Sequence, residues 1–472
     1  MPIGDLGPEL TVLLGAVAIL ILAMWLPRDR HGWCAGLTLA VLAVAAVWAA
    51  AQLGAARLTF MGTFALDGAT GWTRLTILIA TGLVVLLSPR WFVTDRRHGE
   101  YYAVLLFSAL GAMAMAGAAD LMQLVMSVLL SSITGYTLAA YHRDWELSVE
   151  AGMKYFLLGA LANALMVLGA VLIMGMAGTT AYAELAGRPP EGPLWQIGLM
   201  LVVLGLLFKL GAAPAHGWLP DVAEGAPAPA AAFLTVVPKL AGGLALFRLV
   251  ALVPDDGALR LLIALAAAAT MTLGNLAALW QDDVRRLIGW SSVSQAGYAL
   301  VAVAAAGRAD MALTALLVFL AVYAAANIVA LGVVSELRGR TALSDYNGLM
   351  RRRPLMAAAL IVSFLSLVGI PPLAGFLGKF GLFLVALEAE MLWLALFLLA
   401  NSVLSLAYYL RVVWAMVFSD PAGEVQTLGG LTPLAPLVAT AALLVLGILG
   451  AAIWQDPTAL PPMVMATQAE GG

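Results

Sequence analysis

The sequence predicts an all-α polytopic membrane protein of about fourteen transmembrane helices, and three observations predict it. Hydrophobic residues make up 63% of the 472 and charged residues only 11%. A soluble domain carries about 45–50% and about 25%, so this chain lacks the polar residues to cover a water-exposed surface. Apolar runs of about 18 residues or more, the length needed to cross a bilayer core as a helix, recur along the whole chain. Two of these runs are interrupted by the same proline-containing pattern.

In order, the spans fall near 8–26, 33–53, 71–89, 101–118, 120–141, 154–177, 194–213, 227–252, 257–280, 287–306, 310–335, 354–386, 391–418 and 432–454. The first follows MPIGDLGPELTVLL, which has no basic flank and no small-residue cleavage site, and it reads as a retained helix. Helix is the conformation that satisfies backbone groups within each segment in hydrocarbon. The alternating period of a membrane barrel is missing. Small-residue stretches such as Ala264 to Ala269 suit close helix packing. Connections are short. The chain divides into an N-terminal three-helix segment (1–100), two five-helix units (101–253 and 254–420) and a C-terminal helix with tail (421–472).

Arginine placement sets orientation. Odd-numbered loops carry Arg28, Arg30, Arg90, Arg96, Arg97, Arg143, Arg285 and Arg286, then Arg338, Arg340 and Arg351 to Arg353. Even-numbered loops hold mainly Arg57, Arg188 and Arg308. The inner (plasma) membrane of a bacterium, with both termini on the periplasmic side, is the expected location. A net charge of -3 offers no basic patch to nucleic acid. A single cysteine, Cys34, allows no internal disulfide and no thiolate metal cluster. With no clustered histidines and no P-loop either, redox chemistry is not expected in this chain.

The two interruptions share the pattern Gly-x-x-Pro-x-x-Gly-aromatic. Gly211, Pro214, Gly217 and Trp218 form one, in the seventh span; Gly369, Pro372, Gly375 and Phe376 form the other, in the twelfth. A proline flanked by glycines removes a backbone bond and weakens the turn. Two such breaks five spans apart imply two inverted five-helix units, and paired broken helices point to a midplane ion site. Two unrelated proline kinks are the competing account.

Only four of the 24 cationic residues are lysine: Lys154, Lys209, Lys239 and Lys379. Loops use arginine, whereas the lysines fall in or at the ends of apolar helices. Arginine stays charged; a desolvated lysine is able to release its proton near neutral pH. Lys239 lies near the centre of AAFLTVVPKLAGGLALF, where a charge costs about 2.5–3.5 kcal/mol on insertion scales and function is the default reading. Lys379, in AGFLGKFGLFLVAL, stands nearer a helix end, and a snorkelling amine is its competing account. Lys209 is close to a nominal helix end, and its place two residues before the first break favours a functional role. Lys154 follows Glu150 by four residues, the spacing of a solvated helix-surface ion pair.

His216 lies inside the first break, where non-helical backbone holds water. It reads either as a proton relay or as a hydrogen-bonding partner of freed carbonyls. His31, His98 and His142 fall in predicted loops and read as solvated. Arg411 reads as a structural charge or a pathway terminus, and Asp282 to Arg286 as a solvated cytoplasmic cap.

Four blocks carry a resemblance: VEAGMKYFLLGALANALMVLGAVLI, FKLGAAPAHGWLPDVAEGAPAPAAAFLTVVPK, GNLAALWQDDVRRLIGWSSVSQAGY and GIPPLAGFLGKF. In order, across about 100 to 420, they resemble the N-subunit family of bacterial NADH:quinone oxidoreductase, respiratory complex I. KYFLLGA favours that subunit over its antiporter-like relatives, and the end near 472 without a long lateral helix is also similar to it. The resemblance implies fourteen helices in inverted five-helix repeats, with the seventh and twelfth broken at Pro214 and Pro372. It implies a proton path with Lys209 as the central lysine, Lys239 as the connecting one and Lys379 on the opposite half-channel. The partners it implies are the other membrane-arm subunits, antiporter-like and small, and the bilayer. Quinone, NADH, FMN and iron–sulfur clusters belong, by the same resemblance, to partner subunits.

Two departures stand against that pattern. Leu129 occupies the position of the family's usual fifth-helix glutamate, and Gln295 replaces a histidine. An opposite charge nearby favours a charged lysine, and its loss leaves burial to favour the neutral amine. Three readings therefore follow: a proton-translocating subunit, a structural membrane-arm subunit that does not pump, or a subunit of a cation/proton antiporter assembly.

Overall fold

The computed structural model describes residues 3–187, 190–253, 257–338, 340–421 and 427–450. Arg188, the end of the predicted 432–454 span and the tail after it lie outside the described residues. Helices dominate: α1 (Gly7–Trp25), α2 (Gly32–Ala51), α3 (Gly68–Trp91), α4 (His98–Ala116), α5 (Leu121–Ala139), α6 (Glu146–Ala177), α7 (Tyr182–Gly187), α8 (Pro193–Leu210), α9 (Trp218–Gly225), α10 (Ala228–Ala251), α11 (Gly257–Leu279), α12 (Val284–Ala304), α13 (Ala312–Glu336), α14 (Leu349–Arg352), α15 (Pro354–Val368), α16 (Ala374–Glu388), α17 (Leu392–Phe418) and α18 (Leu434–Leu449). Among the described residues, twelve helices are long and apolar enough to cross a membrane, and α15 and α18 are shorter apolar helices. Each predicted span coincides with a helix or, for 354–386, with the pair α15 and α16.

Boundaries move where polar residues extend a helix beyond hydrocarbon. α6 starts at Glu146, about two turns ahead of the predicted 154, so Lys154 lies within the helix and does not begin it. A short hairpin, β1 (Arg57–Thr59) against β2 (Phe64–Leu66), joins α2 to α3. Its strands are too short for alternation to reveal them.

Burial sorts the helices into an interior and a rim. Every residue of α10 is buried, as suits a helix that is apolar all round. α12 and α13 are nearly as enclosed. α1, α2, α6 and α17 present Leu14, Val47, Leu161 and Val403 outward.

Two sets of contacts recur in the two halves. Leu121 N–H donates to the Thr180 carbonyl at 3.0 Å, and Val284 N–H to the Thr341 carbonyl at 2.7 Å. Asp120 and Asp283, in the matching bridges, each cap the start of a helix, α5 and α12.

Buried ion pairs fasten the N-terminal helices. Arg74 of α3 grips Glu9 of α1 through two bonds of 2.7 Å. Arg248, in the last turn of α10, reaches Asp67 at 2.7 and 2.9 Å.

Two loop readings are corrected. His31 and His98 are buried, not solvated: the loops fold back over helix ends, so the imidazoles meet groups there. His31 Nδ1 accepts from Gly99 N–H at 3.2 Å, and His98 Nε2 lies 2.9 Å from the Tyr102 hydroxyl. His142 is half-buried beside Asp95. Nor is the Asp282–Arg286 turn simply solvated, because Arg285 is buried and donates to the Ala223 and Ala226 carbonyls at the end of α9.

Candidate functional site

Lys209 sits in the last turn of α8 and is fully buried. The helix ends there because Gly211 takes a left-handed conformation, φ +67°, a shape that favours glycine. Trp218, opening α9, donates its indole N–H back to the Phe208 carbonyl at 3.0 Å. Ala213 N–H donates to the Thr270 hydroxyl of α11 at 3.0 Å. The freed backbone groups are thus met by neighbouring helices, as a break at membrane depth requires. Among the described residues the Lys209 amine donates to one side chain, Ser131 Oγ at 3.4 Å. Leu129, two residues earlier on α5, is half-buried and packs against the core.

Lys239 stands midway along α10 and is 1% exposed. Its amine donates to the Ser292 hydroxyl of α12 at 2.7 Å and also meets the Ser292 carbonyl. The Tyr323 ring of α13 lies 5.1 Å away. Gly242, one turn along α10, faces the Lys209 stem: a Cβ added there would come within 3.3 Å of Lys209 Cβ. The helices that carry the two lysines therefore touch one turn from Lys239.

Lys379, on α16 just beyond the second break, is also buried. It donates to Ser402 Oγ at 3.3 Å, and its amine lies 3.9 Å from the centre of the Tyr298 ring. Gly369 ends α15 at φ +93°, and a Cβ there would stand 3.1 Å from Lys379 Cδ. The break glycine makes room for the lysine stem.

One helix serves both Lys239 and Lys379. Ser292 and Tyr298 lie about 9 Å apart along the α12 axis, with Gln295 between them. Gln295 donates to the Leu367 carbonyl in the last turn of α15 at 3.2 Å, so it meets a carbonyl freed at the second break. Ser291 bonds Tyr409. Tyr408 donates to Asn275 at 3.0 Å, and Asn275 donates to Asn401 at 3.0 Å. A seam of neutral hydroxyls and amides thus runs through the apolar interior.

Other predicted residues stand apart from the seam. Glu150 and Lys154 form an exposed pair at 2.6 Å, extended by Asp221 at 3.0 Å. Pro214 and Pro372 lie on the outer side of their breaks, each in a cis peptide. His216 is half-buried, its ring 5.8 Å from Trp290 and its Nδ1 without a partner among the described residues. Arg411 donates to the Leu279 carbonyl at 3.0 Å and lies 3.7 Å from Asp282. Among the described residues no group of three or more His, Cys, Asp and Glu side chains is placed to hold a metal ion. The lysines were legible as rare cations, but their serine and tyrosine partners were not, because hydroxyls in apolar helices read as packing.

Comparison with known proteins places this geometry. Residues 118–405 match the membrane-domain model described as NADH:quinone oxidoreductase/Mrp antiporter. The chain is 40% identical to NADH-quinone oxidoreductase subunit N of Mycobacterium sp. (strain JLS), over 95% of this chain and 97% of that one. The chain belongs to the subunit N family of NADH-quinone oxidoreductase. A subunit of respiratory complex I from Thermus thermophilus with bound aureothin superposes with a TM-score of 0.83 at 33% identity, covering 95% of this chain and 99% of that one. A chain of the Mrp complex from Dietzia sp. DQ12-45-1b shares the fold at TM-score 0.84 and 21% identity, over 97% and 98% of the two chains. Members of the subunit N family are membrane-arm subunits of an oxidoreductase complex, and this chain is a multi-pass membrane protein of that kind.

Proposed function

We propose that this chain moves protons across the bacterial inner membrane while partner subunits of a NADH-quinone oxidoreductase pass electrons to quinone. Lys209, Lys239 and Lys379 hold and release the protons, and His216 hands them on at the first break. The chain makes fourteen crossings, both termini are periplasmic, and 101–253 and 254–420 are inverted repeats; the recurring bridges at Asp120 and Asp283 support that arrangement. NADH, FMN, iron–sulfur clusters and quinone are held by partner subunits. The neighbours of this chain are antiporter-like and small membrane-arm subunits and lipid.

The observation that carries this reading is the setting of Lys239. It lies in the most enclosed helix, and among the described residues its amine is matched by hydroxyl, carbonyl and ring, not by a carboxylate. A permanent charge there is costly, whereas an amine escapes the cost by giving up its proton. The test is NADH-driven acidification of inverted membrane vesicles carrying Lys239→Ala, read against NADH oxidation. We expect pumping to collapse with the complex assembled. Parental pumping would remove Lys239 from the path.

A second reading, a membrane-arm subunit that assembles without pumping, is favoured by one observation: among the described residues Lys209 donates to a serine hydroxyl and no carboxylate, where the family's glutamate position holds Leu129. Leu129→Glu separates the two. A rise in protons pumped per NADH supports a first half-channel weakened by leucine, and no change leaves the non-pumping reading standing for that half. Small antiporter subunits encoded beside this chain, in place of flavin and iron–sulfur subunits, would favour the antiporter assembly.

A further inference from the structure

Lys239 and Lys379 lie on different helices, yet each amine is held by the same three-part arrangement. It donates to a serine hydroxyl, that serine bonds a tyrosine hydroxyl, and the same tyrosine turns its ring toward the amine. At Lys239 the parts are Ser292 of α12 and Tyr323 of α13, whose hydroxyls lie 2.5 Å apart. At Lys379 they are Ser402 of α17 and Tyr298 of α12, with Ser402 donating to Tyr298 at 3.3 Å.

The direction of the bonds at Lys239 is fixed by where they end. Tyr323 donates its single hydroxyl hydrogen to the Thr235 carbonyl at 2.7 Å, and a carbonyl only accepts. The Ser292 hydrogen must then point at Tyr323, which leaves the Ser292 oxygen free to accept from Lys239. Asn327 donates to the Thr235 hydroxyl at 2.7 Å and braces that end. Every hydrogen in this string points away from the lysine, and the string stops at a carbonyl. It orients the amine as a donor, and it offers no exit for a proton.

We propose that Ser292 and Tyr323 are positioning residues for proton transfer at Lys239, and that Ser402 and Tyr298 do the same at Lys379. This rests on the lysine path proposed above. The serine supplies a neutral acceptor and the ring face supplies attraction for a cation, so the amine is steadied while protonated without a carboxylate that would trap it there. The proton leaves Lys239 on the side away from Ser292.

The test uses the assembled complex in inverted vesicles, with protons pumped per NADH as the readout. Ser292→Ala should lower that ratio toward the Lys239→Ala value, because transfer at Lys239 slows by about tenfold, the scale of a lost hydrogen bond to a charged group. Ser292→Thr, which keeps the hydroxyl, should restore most of it. Packing alone predicts the reverse order, because threonine overfills a site that alanine fits. Tyr323→Leu should match Ser292→Ala, and Tyr323→Phe, which keeps the ring, should fall between. Parental ratios in Ser292→Ala and Tyr323→Leu, or Ser292→Thr no better than Ser292→Ala, would overturn the proposal. Lys239→Ala is the control: if it pumps normally, the lysine path itself fails; if it is inactive while the serine and tyrosine variants are normal, only the positioning role fails.

Discussion

Two regions of this molecule bury cations and treat them in opposite ways. At the junction of α1, α3 and α10, Arg74 and Arg248 each face a buried carboxylate, Glu9 and Asp67, at 2.7 Å. Along the seam, Lys209, Lys239 and Lys379 are equally buried, and among the described residues none forms an ion pair. A guanidinium cannot lose its charge in a protein, so its burial calls for a counter-charge, as at Arg74 and Arg248, or for backbone carbonyls, as at Arg285. An amine is able to lose its charge, and among the described residues the seam offers the amines neutral hydroxyl, carbonyl and ring partners. The fold pairs charge with carboxylates where it fastens helices together, and gives the lysines of the proposed proton path neutral partners instead.

The sharpest way to break this contrast is to remove a partner from the locked region. Arg248→Ala strands Asp67 without its guanidinium, a loss of about 3–5 kcal/mol for a buried pair with one member deleted. Asp67 also caps α3 by accepting from Thr70 N–H at 2.8 Å, so its disturbance spreads to the start of that helix. We expect the assembled complex on native gels to fall severely. Full assembly at parental thermal stability would show that these pairs are not the fastening the comparison assigns to them.

The next test carries the locked kind of cation into the seam. Lys239→Arg keeps the positive charge but replaces a group that titrates with one that does not. If the seam works by release, pumping is lost about as fully as with alanine, and assembly suffers besides, because a permanent charge now sits in α10 without a carboxylate. Retained pumping in Lys239→Arg would show that a fixed charge suffices there, and the distinction between the regions would lose its meaning.

How far the sequence reveals this contrast depends on what each residue does. Lys239 is conspicuous because an ionisable group interrupts a long apolar run. The breaks are conspicuous because proline and glycine punctuate helices that otherwise continue. The locked region was hidden, since Glu9 and Asp67 stand near helix ends where solvated acids are common, and Arg248 closes a helix where cations ordinarily sit. The partners of these residues are 65 and 181 positions away in the chain, and no local pattern spans such distances. His31 and His98 were misread for a related reason. A loop position suggests solvent until the helices it joins fold together and cover it.

His142, between α5 and α6, gives the smallest expected effect and a third way of treating a buried base. Burial pushes its pKa below the ordinary 6.5, helped by Arg338 and Arg97 and opposed by Asp95. Trp91 donates its indole N–H to Nε2 at 3.1 Å, so the ring proton belongs on Nδ1, 3.3 Å from Asp95. A second proton would have to displace Trp91. Because the folded state binds that proton more weakly than the unfolded chain, the contribution to stability is complete above about pH 6.5 and is lost as pH falls through that value toward the lower folded pKa. The melting temperature of the assembled complex should decline on acidification below about pH 6.5, and His142→Gln should flatten part of that decline. An unchanged slope in the variant would mean that His142 binds its proton equally well in the folded and unfolded chains, and a steeper decline that Asp95 holds it protonated in the folded protein.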